Sequence, residues 1–201
     1  MKDLIILVAD KNTESAIQGL LLRPKALGIR SNLKWDIFVH PQRDPGCLRN
    51  AHNFLKPFCK EYSYALIIFD REGCGKENLS VKDLEEKVQK NLKSSGWDAR
   101  AEVIVIDPEL EVWVFSNSPH VVDLIAEGDK EAYHNILSKE ERTSTGKPCK
   151  PKQVMENILR EKNIPRSSAI YKQLAKKVSL SKCCDPSFNQ LCKILKTWFP
   201  E

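Results

Sequence analysis

The chain has 201 residues, enough for one medium domain or a domain with an appendage. It is 41% hydrophobic and 29% charged, and no apolar stretch is long enough to form a helical membrane span, so a globular protein without a membrane partner is expected. The net charge of +5 hides a split: residues 142–201 hold 13 Lys/Arg against 4 Asp/Glu, whereas residues 1–141 hold 19 against 23.

The opening "MKDLIILVADKN" has its apolar core only from Leu4 to Ala9, with charge following at once. It reads as a buried strand rather than a signal peptide, and the expected location is cytoplasmic. The seven cysteines are odd in number and contain no C-x-x-C pair, so reduced thiols are expected. "NTESAIQGLLLRPKAL" then has helical spacing, with Ala16, Ile17, Leu20 and Leu21 on one side. "KWDIFVHP" (34–41) reads as a second strand with alternating Trp35, Ile37 and Val39. "PQRDPGC" has two prolines and a glycine and reads as a loop. "CLRNAHNFLKPFCKEY" reads as a helix, "YALIIF" (64–69) as the third strand, and "LSVKDLEEKVQKNLKSSG" as an amphipathic helix capped by Ser80. "EVIVI" (102–106) is the fourth strand, and "PELEVWVFS" opens a helix.

That order is β-α-β-α-β-α-β, the pattern of an α/β fold: a mostly parallel four-stranded sheet with helices on both faces. After about residue 120 the strand pattern ends. "HVVDLIAEG" reads as a short helix, "KEERTSTGKPCKPK" as a polar connector, and three basic helices follow in "KQVMENILREK", "SSAIYKQLAKKV" and "DPSFNQLCKILKTWF". The expected organisation is an α/β domain over 1–118 and a helical, basic C-terminal extension over 119–201 packed on it.

Three strands end in acids. The first ends at Asp10 with Glu14 one turn later, the third at Asp70 with Glu72 two residues on, and the fourth runs into Asp107, Glu109 and Glu111. In parallel α/β sheets the carboxyl ends of the strands share one edge, so these groups converge. Gathered carboxylates repel, and either raise their pKa values or recruit a cation. Hard oxygen ligands suit Mg²⁺ or Mn²⁺, which polarise a phosphodiester and activate water. An acid at a strand end is also an ordinary turn former or helix cap. It is the joint pattern that points to a metal site. Asp107, before Pro108, reads as a turn residue, and a helix over 109–111 would leave only one of Glu109 and Glu111 central.

These residues resemble the Toprim domain of topoisomerases, primases and overcoming-lysogenization-defect nucleases. More specifically, the chain is similar to small Toprim-related proteins of bacterial defence and mobile-element loci, the RloB-like group. "VADKNTES" resembles that group's first motif (Asp10, Glu14), "FDREG" its second (Asp70, Glu72) and "ELEVWVF" its third (Glu111 with Trp113). The Pro-Ser-Phe of "CDPSFNQLCKILKTWF" resembles the tail of these relatives. Asp10 stands where Toprim proteins usually have Glu, and Glu72 where they usually have a second Asp. Both swaps keep the charge and change the reach by one methylene.

The resemblance implies a Toprim-like Mg²⁺- or Mn²⁺-dependent nuclease acting on DNA or RNA in antiphage defence. Asp10, Asp70, Glu72 and Glu111 would hold the metal, with Glu14 supporting them. It also implies an alternative, a catalytically silent subunit beside an ABC-type or AAA-type ATPase, and more distantly a metal-dependent phosphotransferase or phosphatase on small nucleotides. The basic residues Arg43, Arg71, Lys76, Lys147, Lys150, Lys152, Lys172 and Lys176 are the expected nucleic-acid contacts, with Arg166 and Lys177 beside them and Tyr171 and Trp198 as stacking candidates. His40 is a candidate base or phosphate contact.

Overall fold

The computed structural model describes residues 1–201. Four strands, β1 (Lys2–Val8), β2 (Trp35–Val39), β3 (Tyr62–Asp70) and β4 (Ala101–Ile106), pair in the order β2-β1-β3-β4, and every pairing is parallel. The two central strands are continuous apolar runs because both of their faces are covered. All of Leu4 to Val8, and all of Ala65 to Phe69, are buried.

Alternate residues of these strands serve two separate cores. Leu4, Ile6, Val8, Leu66, Ile68, Ile104 and Ile106 join the larger one. Ile5, Leu7, Ala65, Ile67, Phe69, Val103 and Val105 join the smaller one, beneath α3 (Arg43–Leu55) and α4 (Val81–Leu92). Ser80 caps α4 in a reciprocal box with Asp83.

The larger core takes in α1 (Lys11–Leu21), α2 (Pro24–Leu27) and α5 (Glu111–Val114), and then α6 (Pro119–Ile125), α7 (Lys130–Leu137), α8 (Pro151–Glu161), α9 (Ser168–Lys177) and α10 (Pro186–Trp198). The helices after residue 118 therefore supply much of the layer over one face of the sheet. The expected division at 118/119 is not a division of the core: one apolar cluster runs across it. Two contacts show how close the packing is. At Gly19 on α1 an added Cβ would lie 2.7 Å from both the Ala175 Cβ and the Lys172 carbonyl oxygen of α9. Trp198 of α10 stacks on Tyr64 of β3 at 4.6 Å.

Two local expectations change. The "PQRDPGC" segment is not a loop throughout, because α3 begins at Arg43 and takes in Asp44, Pro45 and Gly46. Proline is tolerated in a first helical turn, where its missing N–H has no intrahelical acceptor. Gly46 is needed because a Cβ there would fall 2.0 Å from His40 Nδ1. The second change is α7, an additional helix between "HVVDLIAEG" and the polar connector, capped by Asp129.

Candidate active site

Parallel pairing places the ends of β1, β3 and β4 on one edge, and Asp70 stands at the centre of it. The Asp70 N–H donates to Asp44 Oδ1 at 2.8 Å, while Asp70 Oδ1 is enclosed and has no hydrogen-bond partner. Burial pushes the Asp70 carboxyl well above the usual carboxylate range. The charges of Asp44, then Glu111, then Asp10 add to the rise, and the Leu110 N–H opposes it. Asp44 is itself raised, first by burial, against the hydrogen bond from Asp70 and with the Asp10 charge adding to the rise. Sequence reasoning left Asp44 in a loop and out of the site. The pointer to it was the Asp-Pro pair, an acid and a proline in a helix's first turn.

Asp10 caps α1, with Oδ1 accepting from the Thr13 N–H (2.8 Å) and the Thr13 hydroxyl (2.9 Å). Glu14, one turn on, is almost buried. It accepts from Gln18 Nε2 and pairs with Lys11.

Glu111 opens α5 and is only 3% exposed. Its Oε1 accepts from Arg166 Nη2 at 2.6 Å and from the Tyr171 hydroxyl at 2.5 Å. Burial works against the charge of Arg166, but Tyr171 and Glu111 outweigh it and push its pKa up. Tyr171 is raised by burial and then by Glu111. Glu109 is also buried, and both glutamates reach the site because Glu109 lies before the short helix rather than within it. Its Oε1 accepts from the Lys152 N–H at 3.2 Å, and Lys152 Nζ lies 3.5 Å from its Oε2.

Glu72 does not stand beside Asp70. Strand alternation stops at Asp70, and residues 71–74 form a turn closed by the Cys74 N–H to the Arg71 carbonyl. Glu72 is left exposed, and its charge is felt at Glu109. Asp44, from the neighbouring helix, takes the place expected for the second acid.

The basic residues separate into several roles. Lys147 is 3% exposed, so it is no surface contact for a polyanion. Its Nζ donates to the Val112 carbonyl at 2.7 Å and lies 3.7 Å from Asp185. Asp185 caps α10 and accepts from Ser187, whose Oγ takes the Trp113 Nε1–H at 2.8 Å. The "ELEVW" and "DPSF" motifs are thus one buried network. Arg71 is spent on the loop after β3, through Asp107 and the carbonyls of Glu77 and Leu79. Lys172 donates to Gln18. Lys76, Lys150 and Lys176 are exposed. Tyr171 is buried, and Trp198 is half-buried with one ring face stacked on Tyr64.

Arg43, Lys152 and Arg166 meet Lys11, Asp10 and His40 around a cavity of about 490 Å³ beside this acidic group. No three His, Cys, Asp or Glu side chains stand together as a ready cage for a cation. A cation held by one or two carboxylates, with water completing its shell, is the usual Mg²⁺ arrangement, and Asp70 with Asp44 fits it. The enclosed Asp70 oxygen without a partner is the observation that fits such an ion. Comparison with known proteins finds no matching family model, no matching curated protein and no matching solved structure.

Proposed function

We propose that the chain is a Toprim-like, divalent-metal-dependent nuclease, the reading its motifs suggest. What carries it is Asp70: a buried carboxylate at the end of a central strand, with an unpartnered oxygen, among the charges of Asp44, Glu111 and Asp10, the last of which lines a cavity with Lys11, Arg43, Lys152 and Arg166. A bound cation would offset the charges of Asp70, Asp44 and Asp10, which make no ion pair, whereas Glu111 already has Arg166.

Asp70 and Asp44 are the residues that would hold Mg²⁺ or Mn²⁺, with Asp10 nearby. When bound, such an ion polarises the phosphodiester and lowers the pKa of an attacking water. Arg166 and Tyr171 hold Glu111 in place. Lys152 and Arg43 face the cavity and oppose the negative charge that builds on phosphate in an in-line displacement.

A cleavage panel on DNA and RNA with Mg²⁺ and Mn²⁺ tests the reading. Asp70→Ala and Asp44→Ala are expected to lose metal-dependent cleavage, and undiminished cleavage in Asp70→Ala rejects it. One observation favours the second reading, a silent subunit of an ATPase-containing complex: Glu111 is already neutralised by Arg166. Protein that cuts neither polymer with either ion, yet co-purifies with an ATPase, decides for that alternative.

A further inference from the structure

The cavity beside Asp10, at the same edge of the sheet, is larger than a metal site needs. It opens where three separate segments meet: the start of α1 with Lys11, the β2–α3 connection with His40 and Arg43, and the C-terminal helical part with Lys152 and Arg166. About 490 Å³ lies within the range of small-molecule sites. Most of its cations have acidic partners. Lys11 pairs with Glu14, Lys152 with Glu109, and Arg166 with Glu111 and Glu156.

Two donors have none. Arg43 makes no ion pair and no side-chain hydrogen bond, and it sits in left-handed backbone (φ 51°) at the first residue of α3. A non-glycine residue there carries strain, which is characteristic of functional positions. His40 is buried, and its Nδ1 accepts the Gln42 N–H at 3.1 Å. Burial lowers its pKa, so the neutral ring carries its proton on Nε2. That N–H makes no hydrogen bond within the protein. Gly46 keeps the ring in this position, since any Cβ there would strike it.

We propose that this cavity seats a terminal phosphomonoester, so that the substrate of the neighbouring metal site is a nucleic-acid strand presented by its phosphorylated end. The inference rests on the nuclease reading for the strand, but not for the phosphate. A phosphomonoester carries close to two negative charges and three free oxygens. Arg43 is the one cation of the cavity without an acidic partner, and its fork together with His40 Nε2–H offers three unengaged N–H donors, one for each free oxygen of a monoester, where an internal diester has only two. Arg43 supplies the bidentate fork and His40 Nε2–H a third donor, while Lys152 and Arg166 form the cationic far wall.

The test measures binding, without cleavage, in EDTA with the Asp70→Asn protein. Short fluorescein-labelled DNA and RNA oligonucleotides ending in 5′-phosphate, 3′-phosphate or hydroxyl are compared by anisotropy. One phosphorylated end is expected to bind about tenfold tighter than the hydroxyl end. Arg43→Ala should erase that preference with an unchanged melting temperature, and Arg43→Lys should restore part of it. A 5′-nucleoside monophosphate that competes as strongly as the oligonucleotide keeps the phosphomonoester pocket and assigns it to a free nucleotide. Equal affinity for phosphorylated and hydroxyl ends, or a preference untouched by Arg43→Ala, overturns the proposal. The two readings fail separately. Protein that prefers phosphorylated ends but cuts nothing ends the nuclease reading alone, and protein that cuts without a preference ends this one alone.

Discussion

Asp70→Asn is expected to make the metal-free protein more stable while abolishing its response to metal. The Asp70 side chain gives Oδ1 no partner and faces the charges of Asp44, Glu111 and Asp10. Leaving an enclosed polar atom unsatisfied costs about 1–3 kcal/mol, and more for a charged group. An amide at this position keeps the shape, removes the charge and offers an N–H₂ donor to the surrounding carboxylates. For a chain of this length about 1 kcal/mol moves the melting temperature by roughly 2–4 °C, so a rise of several degrees in EDTA is expected. The pH dependence has a definite sign. Because the folded pKa of Asp70 is raised, the group costs nothing at pH values below its unfolded pKa, and its penalty grows as pH rises through the folded value. The gap between Asp70→Asn and wild type should therefore widen from acid toward neutral pH. Thermal melts in EDTA across that range, repeated with excess Mg²⁺ or Mn²⁺, make the measurement. Wild type should gain stability with metal, as any ligand of the folded state confers, and Asp70→Asn should not. A variant no more stable than wild type in EDTA at neutral pH would refute the reasoning, since the charge at Asp70 would then already be balanced within the protein.

Other substitutions test the frame around the site. Gly19→Ala should gain about 1 kcal/mol of helix propensity but lose about 1–3 kcal/mol from forcing α1 off α9, because its Cβ would fall 2.7 Å from Ala175 and from the Lys172 carbonyl; chemical denaturation should show a net loss. Lys147→Met leaves Asp185 buried without its cation and should cost about 3 kcal/mol, read by denaturation. Nucleic-acid affinity per folded molecule should stay the same in that variant, and a selective loss of affinity at full stability would restore Lys147 as a contact.

The parts of the fold that follow from local pattern were legible in the sequence. Apolar runs marked β1, β3 and β4, alternation marked β2, and the stripe of Val81, Leu84, Val88 and Leu92 with its Ser80 cap marked α4. Strand ends gave Asp10, Asp70 and Glu111, because in a parallel sheet the end of a strand is already a position in space. What depended on distant pairing was not legible. Arg166 and Tyr171 lie 55 and 60 residues beyond Glu111, and nothing in their neighbourhoods marks them as its partners. Lys147 looked like one more surface lysine in a basic stretch, because burial of a cation is decided by Val112 and Asp185, which arrive from elsewhere. Glu72 was grouped with Asp70 from its place two residues after the strand and in the "FDREG" motif, but the strand ends at Asp70 and the turn that follows leaves Glu72 exposed. Asp44 was missed because two prolines and a glycine outweighed the helix that starts among them.

The C-terminal basic half, read from the sequence as a polyanion-binding extension, also has a task inside the fold. Four of its 13 cations make ion pairs inside the molecule. Arg166 neutralises Glu111 and Glu156, Lys152 meets Glu109, Lys162 meets Asp129, and Lys147 meets Asp185. Two of these four cations, Arg166 and Lys152, reach across to the acids that follow β4. Without them Glu109 and Glu111 would be buried charges with no counter-ion, several kcal/mol each. The acidic front half and the basic rear half therefore compensate one another at one edge of the sheet. Asp70, Asp44 and Asp10 make no ion pair at this edge, and among them Asp70 is distinguished by an enclosed Oδ1 with no partner at all.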